Sequence, residues 1–271
     1  MTTFLQITDT HVVAPGALAC GRSDTAEALA RAVETINDTL PVLGPVDCIV
    51  VTGDLTDHGT AEEYAHFKSL VAPLKLPLLA IPGNHDRRDE MRAAFRETEW
   101  MPAEGPIQWH RDLGPVSLIG LDTLLDGAHH GEIAETGLDF LDRTLTAIGD
   151  QPAVVATHHP WMPSGIRAMD ADNLRNGAPL MARLEAHPGP VRMISGHVHR
   201  AMTAQIGHVT CQIAPSTCHA VDLDHREATT ENGLVLEPGA FSVYRWHVDW
   251  ACLTSDCVPT GRFPGPWPFA D

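Results

Sequence analysis

Short apolar runs alternate with stretches in which apolar positions recur every three or four residues, from Phe4 to Ile213. Phe4, Leu5, Gln6 and Ile7 predict a first strand. Asp24 with Glu27 three residues later has the form of a helix start, and Ala28, Leu29, Ala32, Val33 and Ile36 carry the helical spacing on to Leu40. Cys48, Ile49, Val50 and Val51 form an unbroken apolar strand, as expected where both faces of a sheet are covered. A helix over 61–74 ends at Pro73 and Pro77, and a strand follows at 78–81. Further strands are predicted at 116–121, 153–157 and 191–195, with a helix over 138–148, and 201–206 and 209–213 alternate about Gly207 and His208 like a hairpin. Strands and helices taking turns predict an α/β layered fold. Beyond Pro215 the chain turns rich in Pro, Gly and aromatics, with one strand at 241–248. The division expected is a core over 1–215 and a C-terminal extension over 216–271 that packs on the core or forms a subunit contact.

Charge narrows the partners. The 271 residues carry a formal net charge of -17, from 35 acidic and 18 basic residues, and the longest basic run is Arg87 and Arg88. A long nucleic acid needs a basic stripe, which is absent from the sequence. A small anion stays open, because bound metal ions reverse the local sign within an acidic protein. The first residues have no basic leader and no apolar run nears the roughly 20 residues that span a bilayer, so no membrane association and a cytoplasmic location are expected. Six cysteines are scattered without a C-x-x-C pair. Cys252 and Cys257 would pair in an oxidising compartment and remain thiols in cytosol.

Five small motifs follow the apolar strands directly: Asp9-Thr10-His11, Gly53-Asp54, Gly83-Asn84-His85-Asp86, His158-His159 and Gly196-His197-Val198-His199. Loops at the carboxyl ends of strands converge on one crevice in such sheets. Carboxylates, an amide carbonyl and imidazoles suit Mn, Fe, Zn or Co, whereas calcium sites are all oxygen. Asp-x-His and His-x-His would place both side chains on one side of an extended segment. Together with Asp54, Asn84 and His158 they make seven candidate ligands, too many for one tetrahedral ion and suited to two that share a carboxylate.

The motif set resembles the calcineurin-like metallophosphoesterase superfamily, with the pattern D-x-H, G-D, G-N-H-[DE], H and G-H-x-H. Within it the chain is similar to bacterial class III cyclic nucleotide phosphodiesterases and related glycerophosphodiesterases. Supporting residues are Gly53 to Gly59, His158-His159-Pro160 and Ala214 to His219. The resemblance implies an α-β-β-α sandwich and two divalent or mixed-valence metal ions (Mn, Fe, Zn or Co). It implies one ion held by Asp9, His11 and His199, a second by Asn84, His158 and His197, and Asp54 bridging both. It further implies that His85 contacts the phosphate and helps the leaving oxygen depart, and that Asp86 orients His85. The expected reaction is hydrolysis of a small anionic phosphodiester (a 3′,5′- or 2′,3′-cyclic nucleotide or a glycerophosphodiester) by a hydroxide held between the ions, whose pKa falls from 15.7 toward roughly 7. A homo-oligomer is implied by resemblance alone.

Other residues divide between site and scaffold. His219 resembles a pocket histidine, Arg22 could meet substrate phosphate or serve as a solvated loop residue, and Trp161 could line the pocket mouth or pack in the core. His159 is read as supporting a ligand or packing on the sheet, and His129 and His130 as surface or packing residues. A phosphomonoesterase or protein phosphatase on the same scaffold is the alternative enzyme. Asp86 closing the G-N-H motif, where the protein phosphatases have Glu, leans toward diesters. A scaffold that has lost its metals would show substituted ligands, and none is substituted.

Overall fold

The strands alternate their side chains between two different cores, and this alternation builds the layers. The computed structural model describes residues 2–229 and 231–268. Its first part runs β1 (Thr2–Ile7), α1 (Thr25–Leu43), β2 (Cys48–Thr52), α2 (Ala61–Val71), β3 (Leu78–Ile81), α3 (Arg88–Phe95), β4 (Trp109–Asp112) and β5 (Ser117–Gly120). It continues through α4 (Glu135–Ile148), β6 (Ala153–Ala156), α5 (Arg167–Ala171), α6 (Ala178–Ala186), β7 (Val191–Ser195), β8 (Met202–Ile206) and β9 (Val209–Ile213). The remaining strands are β10 (Ala220–Val221), β11 (Leu234–Val235), β12 (Ala240–His247) and β13 (Cys252–Pro259).

Two sheets result, ordered β13-β12-β1-β2-β3 and β4-β5-β6-β7-β9-β8, with β10 and β11 forming a small ribbon. Phe4, Val50, Ile81, Leu118, Val154 and Ile194 point into one cluster between the sheets. Their neighbours Leu5, Ile7, Ile49 and Val51 point the other way, onto Leu29, Val33 and Ile36 of α1 and Tyr64 and Phe67 of α2. On the far side Val155, Met193 and Cys211 meet Leu138 and Leu141 of α4 and Leu180 and Leu184 of α6. Period-2 strands sandwiched between two helical layers give the α-β-β-α order. Gln6 ties the sheets together: its amide donates to Thr52 Oγ1 at 2.8 Å and to the Ser195 carbonyl at 3.1 Å, and accepts from Tyr244 Oη at 2.7 Å.

Residues 240–259 supply two strands of the first sheet, β12 pairing antiparallel with β1 while β2 pairs parallel on β1's other side. Cys252 and Cys257 both lie on β13, opposite His247 and Ser242. Five residue-to-residue steps of extended chain set them roughly 16 Å apart and turn them to opposite faces, which rules out a disulfide between them. Among the described residues no helix is long and apolar enough to cross a membrane.

Candidate metal centre

β1, β2 and β3 of one sheet and β6 and β7 of the other end at the same edge of the sandwich, and their loops interlock there. Asp9 N donates to the Gly53 carbonyl (3.1 Å), His11 N to the Asp54 carbonyl (3.0 Å) and Gly196 N to the His158 carbonyl (3.0 Å). His197 N donates to the Asp9 carboxylate at 3.0 Å, joining the first loop to the last. Backbones this close leave little room for side chains. A Cβ on Gly83 would stand 2.1 Å from Asp54 Oδ1 and 2.4 Å from Asp54 N, and one on Gly196 would stand 2.0 Å from Thr8 Oγ1.

The pairs Asp9/His11 and His197/His199 do not converge through strand pleating, contrary to expectation. Both follow the ends of their strands, and Asp9, His11, Asp54, His197 and His199 all adopt positive φ (51°, 41°, 49°, 72° and 58°). Only Cys20 and Ala251 join them as non-glycine residues with positive φ among the described residues. Left-handed backbone is costly for such residues and persists where the surroundings over-determine it, typically at functional sites. Here it turns successive donors inward.

All seven candidate ligands come together. His11 Nε2 lies 3.1 Å from His199 Nε2, and His199 Nε2 lies 3.4 Å from Asp9 Oδ1. Asn84 Oδ1 lies 3.1 Å from both His158 Nε2 and His197 Nδ1. Asp54 Oδ2 stands between the groups, 3.5 Å from His11 Nε2 and 3.4 Å from His158 Nε2. Donors about 2.1 Å from a common ion, at tetrahedral or octahedral angles, are separated by about 3.0–3.4 Å. The spacing therefore fits ions held among these atoms.

The other ring nitrogens settle which lone pairs face inward. His158 Nδ1 reaches the Thr52 carbonyl (2.8 Å), His199 Nδ1 the His219 carbonyl (3.0 Å) and His11 Nδ1 the Asp57 carboxylate (3.0 Å). Carbonyls and carboxylates only accept, so these Nδ1 atoms carry the hydrogen, and in the neutral ring each Nε2 presents a lone pair. Two lone pairs facing at 3.1 Å, on His11 and His199, call for a cation between them. His197 is turned the other way, with Nδ1 toward Asn84 and a buried Nε2 that has no hydrogen-bond partner.

Charge states agree with that reading. Burial opposes ionisation of Asp9 and Asp54, yet His199 beside Asp9 and His158 beside Asp54 hold both carboxyls below the usual range. Burial pushes His11 down and His197 well down, so both rings are neutral. His158 is the exception: burial would lower it, but the Asp54 carboxylate prevails and raises it to about 9.

His85 borders the donor cluster with its backbone N–H on Asp54 Oδ1 (2.9 Å) and its Nδ1 on the Asp57 carbonyl (2.8 Å). Asp86 does not orient it. The Asp86 carboxylate instead accepts from Leu55 N (3.1 Å), Thr56 N (3.3 Å), Gly83 N (2.9 Å) and Tyr64 Oη (2.8 Å), binding the second and third loops together. The residue overlooked is Asp57, whose carbonyl holds His85 and whose carboxylate holds His11; its only signal is its place three residues after Asp54.

His159 is fixed by Thr123 Oγ1 (2.8 Å) and the His129 carbonyl (3.1 Å), a support between the donors and the neighbouring loop. His219 joins the site: its ring centre lies 4.9 Å from that of His199, and burial together with His199 and His11 drops its pKa to about 3. Trp161 does not line the pocket; it packs on the outer core beside Gly177. Arg22 is an exposed turn residue, and its neighbour Cys20 reaches the pocket wall in its place.

The donors open into an inner pocket of about 190 Å³, whose wall includes His85, His129, Met169, Asp172, His219 and Asn232. Past His85 and His129 lies an outer cleft of about 1170 Å³ that shares Asp57, Asn84, His85 and His129 with the inner pocket.

A carboxylate between two imidazole-rich donor groups, at the edge of a double sheet flanked by helices, defines a metal-dependent hydrolase class, and sequence comparison places the chain within it. Residues 2–201 match the family model described as calcineurin-like phosphoesterase. The chain belongs to that family. It is 33% identical over 266 residues to "Probable glycerophosphodiester phosphodiesterase GpdQ" of Arcobacter nitrofigilis, covering 98% of this chain and 96% of the relative. It is 30% identical over 242 residues to 3′,5′-cyclic adenosine monophosphate phosphodiesterase CpdA of Pseudomonas aeruginosa, covering 89% and 83% of the two chains. Among solved structures, a dimetal phosphatase from Danio rerio shares the fold, with TM-score 0.62 and 13% identity over 96% of this chain and 99% of that one.

Proposed function

We propose that this protein hydrolyses small phosphodiesters with two metal ions, one held by Asp9, His11 and His199, the other by Asn84, His158 and His197, with Asp54 shared. The observation that carries the reading is Asp54 Oδ2, set 3.5 Å from a nitrogen of one group and 3.4 Å from a nitrogen of the other. Metal ions in those positions supply Lewis-acid polarisation of the phosphoryl group and an activated water at neutral pH. The remaining work belongs to side chains. His85 spends its Nδ1 hydrogen on the Asp57 carbonyl, so its exchangeable proton sits on Nε2. Burial would lower its pKa, but Asp54 and then Asp57 hold it above the ordinary value, which favours the protonated donor form. From the border between inner pocket and outer cleft, His85 can protonate the leaving oxygen, a contribution of about 10²–10⁴-fold.

The relatives' names support diesters over monoesters, covering both glycerophosphodiesters and cyclic nucleotides. The test is metal analysis with a rate panel of bis(p-nitrophenyl) phosphate, p-nitrophenyl phosphate, 3′,5′- and 2′,3′-cyclic AMP, and glycerophosphoethanolamine. Two metals per chain and diester rates above the monoester rate are expected. A monoester rate above every diester rate overturns the reading. Exposed Leu223, Leu236, Phe263 and Trp267 support a homo-oligomer formed through the C-terminal segment, which light scattering would read out.

A further inference from the structure

Three arginines line the outer cleft, and their surroundings differ. Arg88 is consumed: its guanidinium meets Asp122 at 2.7 and 2.9 Å, Asp126 at 3.3 Å and the Leu124 carbonyl. Arg92 is spent on the Pro102 and Gly105 carbonyls. Arg87 has its main chain fixed, its N–H donating to Tyr64 Oη at 3.2 Å, and its stem lies against Gly59, where a Cβ would come 2.5 Å from Arg87 Cγ. Among the described residues its guanidinium has no hydrogen-bond or ion-pair partner. It stands two residues after His85 on the wall of the outer cleft and does not line the inner pocket.

Building on the phosphodiesterase reading, we propose that Arg87 is a specificity-determining residue that binds an anionic group on the ester substituent seated in the outer cleft. The phosphoryl group belongs beside the metal donors in the inner pocket. Arg87 is absent from that wall, so it meets the substrate beyond the scissile phosphate. His85 stands between the two spaces, so the substituent reaching Arg87 is the one whose oxygen takes the His85 proton as its bond to phosphorus breaks. A planar, always-charged guanidinium on an anchored stem suits a carboxylate or a second phosphate. The same wall carries Asp57, Asp86, Asp89, Glu90 and Asp126, so recognition rests on direct contact with the Arg87 guanidinium and not on the charge of the cleft as a whole.

The experiment compares glycerophosphoserine with glycerophosphoethanolamine, which differ by one carboxylate, on the metal-loaded protein and on Arg87→Ala and Arg87→Glu. The ratio of kcat/KM for the serine ester to that for the ethanolamine ester is expected to fall about tenfold in Arg87→Ala, the scale of one lost charge-assisted hydrogen bond, and further in Arg87→Glu. The loss should appear mainly in KM. A ratio that stays at the parent value in both variants overturns the assignment, and so does an equal fall for both esters, which would place Arg87 at the phosphoryl group or in the scaffold. Absence of turnover of either ester and of bis(p-nitrophenyl) phosphate by the parent protein would sink the diesterase reading itself, an outcome distinct from an unchanged ratio.

Discussion

Asp57 accepts the Nδ1 hydrogen of His11 on its carboxylate at 3.0 Å, in the same residue whose carbonyl accepts from His85 at 2.8 Å. One residue thus sets the ring orientation of a proposed ligand through its side chain and of the proposed acid through its main chain. Asp57→Ala removes the first link and leaves the second. The expected result is metal affinity weakened about 10–100-fold at the site served by His11. Metal titration by calorimetry reads it. Unchanged affinity for both ions would show that the His11 ring needs no such support.

Adjacent residues in the third loop should separate chemistry from scaffold. His85→Ala is expected to lower kcat by about 10²–10⁴-fold with both metals retained. Asp86→Ala leaves three buried backbone N–H groups and the Tyr64 hydroxyl without their acceptor. A stability loss of about 3 kcal/mol is expected there, since each unsatisfied buried group costs about 1–3 kcal/mol and local relaxation recovers part. Denaturant titration with kinetics checks both. Were Asp86→Ala as stable as the parent yet as slow as His85→Ala, Asp86 would belong to the chemistry after all.

The sequence shows these roles unevenly. Layering was legible because Cys48, Ile49, Val50 and Val51 form an unbroken apolar strand, and such a strand needs cover on both faces. The convergence of the candidate donors was legible because each motif directly follows an apolar strand. The path by which the donors meet was not: positive φ at Asp9, His11, Asp54, His197 and His199 comes from tertiary constraint, against the local preference of those residues. Helix α3 leaves no periodic signal in the sequence, because only Met91 and Phe95 of its eight residues are buried. Likewise β4 buries only Trp109. The strand near 241–248 was visible, but its seat beside β1 depends on pairing across the whole chain. The partners of Asp86 were not legible, because adjacency to His85 in sequence says nothing of which loop its carboxylate faces.

Protons and metal ions should compete at His158. Burial lowers the pKa of this ring, but the neighbouring Asp54 carboxylate outweighs it and lifts the metal-free value to about 9. A folded-state pKa raised above the unfolded value of 6.5 adds stability that is fully present below pH 6.5 and lost as pH rises through about 9. The metal-free protein should therefore lose that contribution between those limits. Metal binding runs oppositely, because the ion needs the Nε2 lone pair. Uptake at pH 7.5 is expected to release protons, with affinity at the Asn84–His158–His197 site rising toward pH 9. Calorimetry in buffers of different ionisation enthalpy counts them, and uptake without proton release would mean that His158 is already neutral before the ion arrives.

Thiol chemistry gives a test independent of catalysis. Cys48, Cys211 and Cys218 are buried, and burial raises their thiols to about 12, 11 and 12. Cys20, Cys252 and Cys257 are exposed, and no pair among the six is bridged. Thiolate, not thiol, attacks a disulfide reagent, so exposure and pKa act in the same direction. The native protein is expected to titrate three fast equivalents with Ellman's reagent and six after denaturation, without prior reduction. Cys257 should be the slowest of the fast three, because partial burial and then Asp256 raise its pKa. Cys20 lies on the wall of the inner pocket, so loading the metals and adding a competing phosphodiester should slow its labelling while leaving Cys252 untouched. Equal protection of both cysteines would point to a global tightening of the chain, and none at Cys20 would place the bound diester away from that wall.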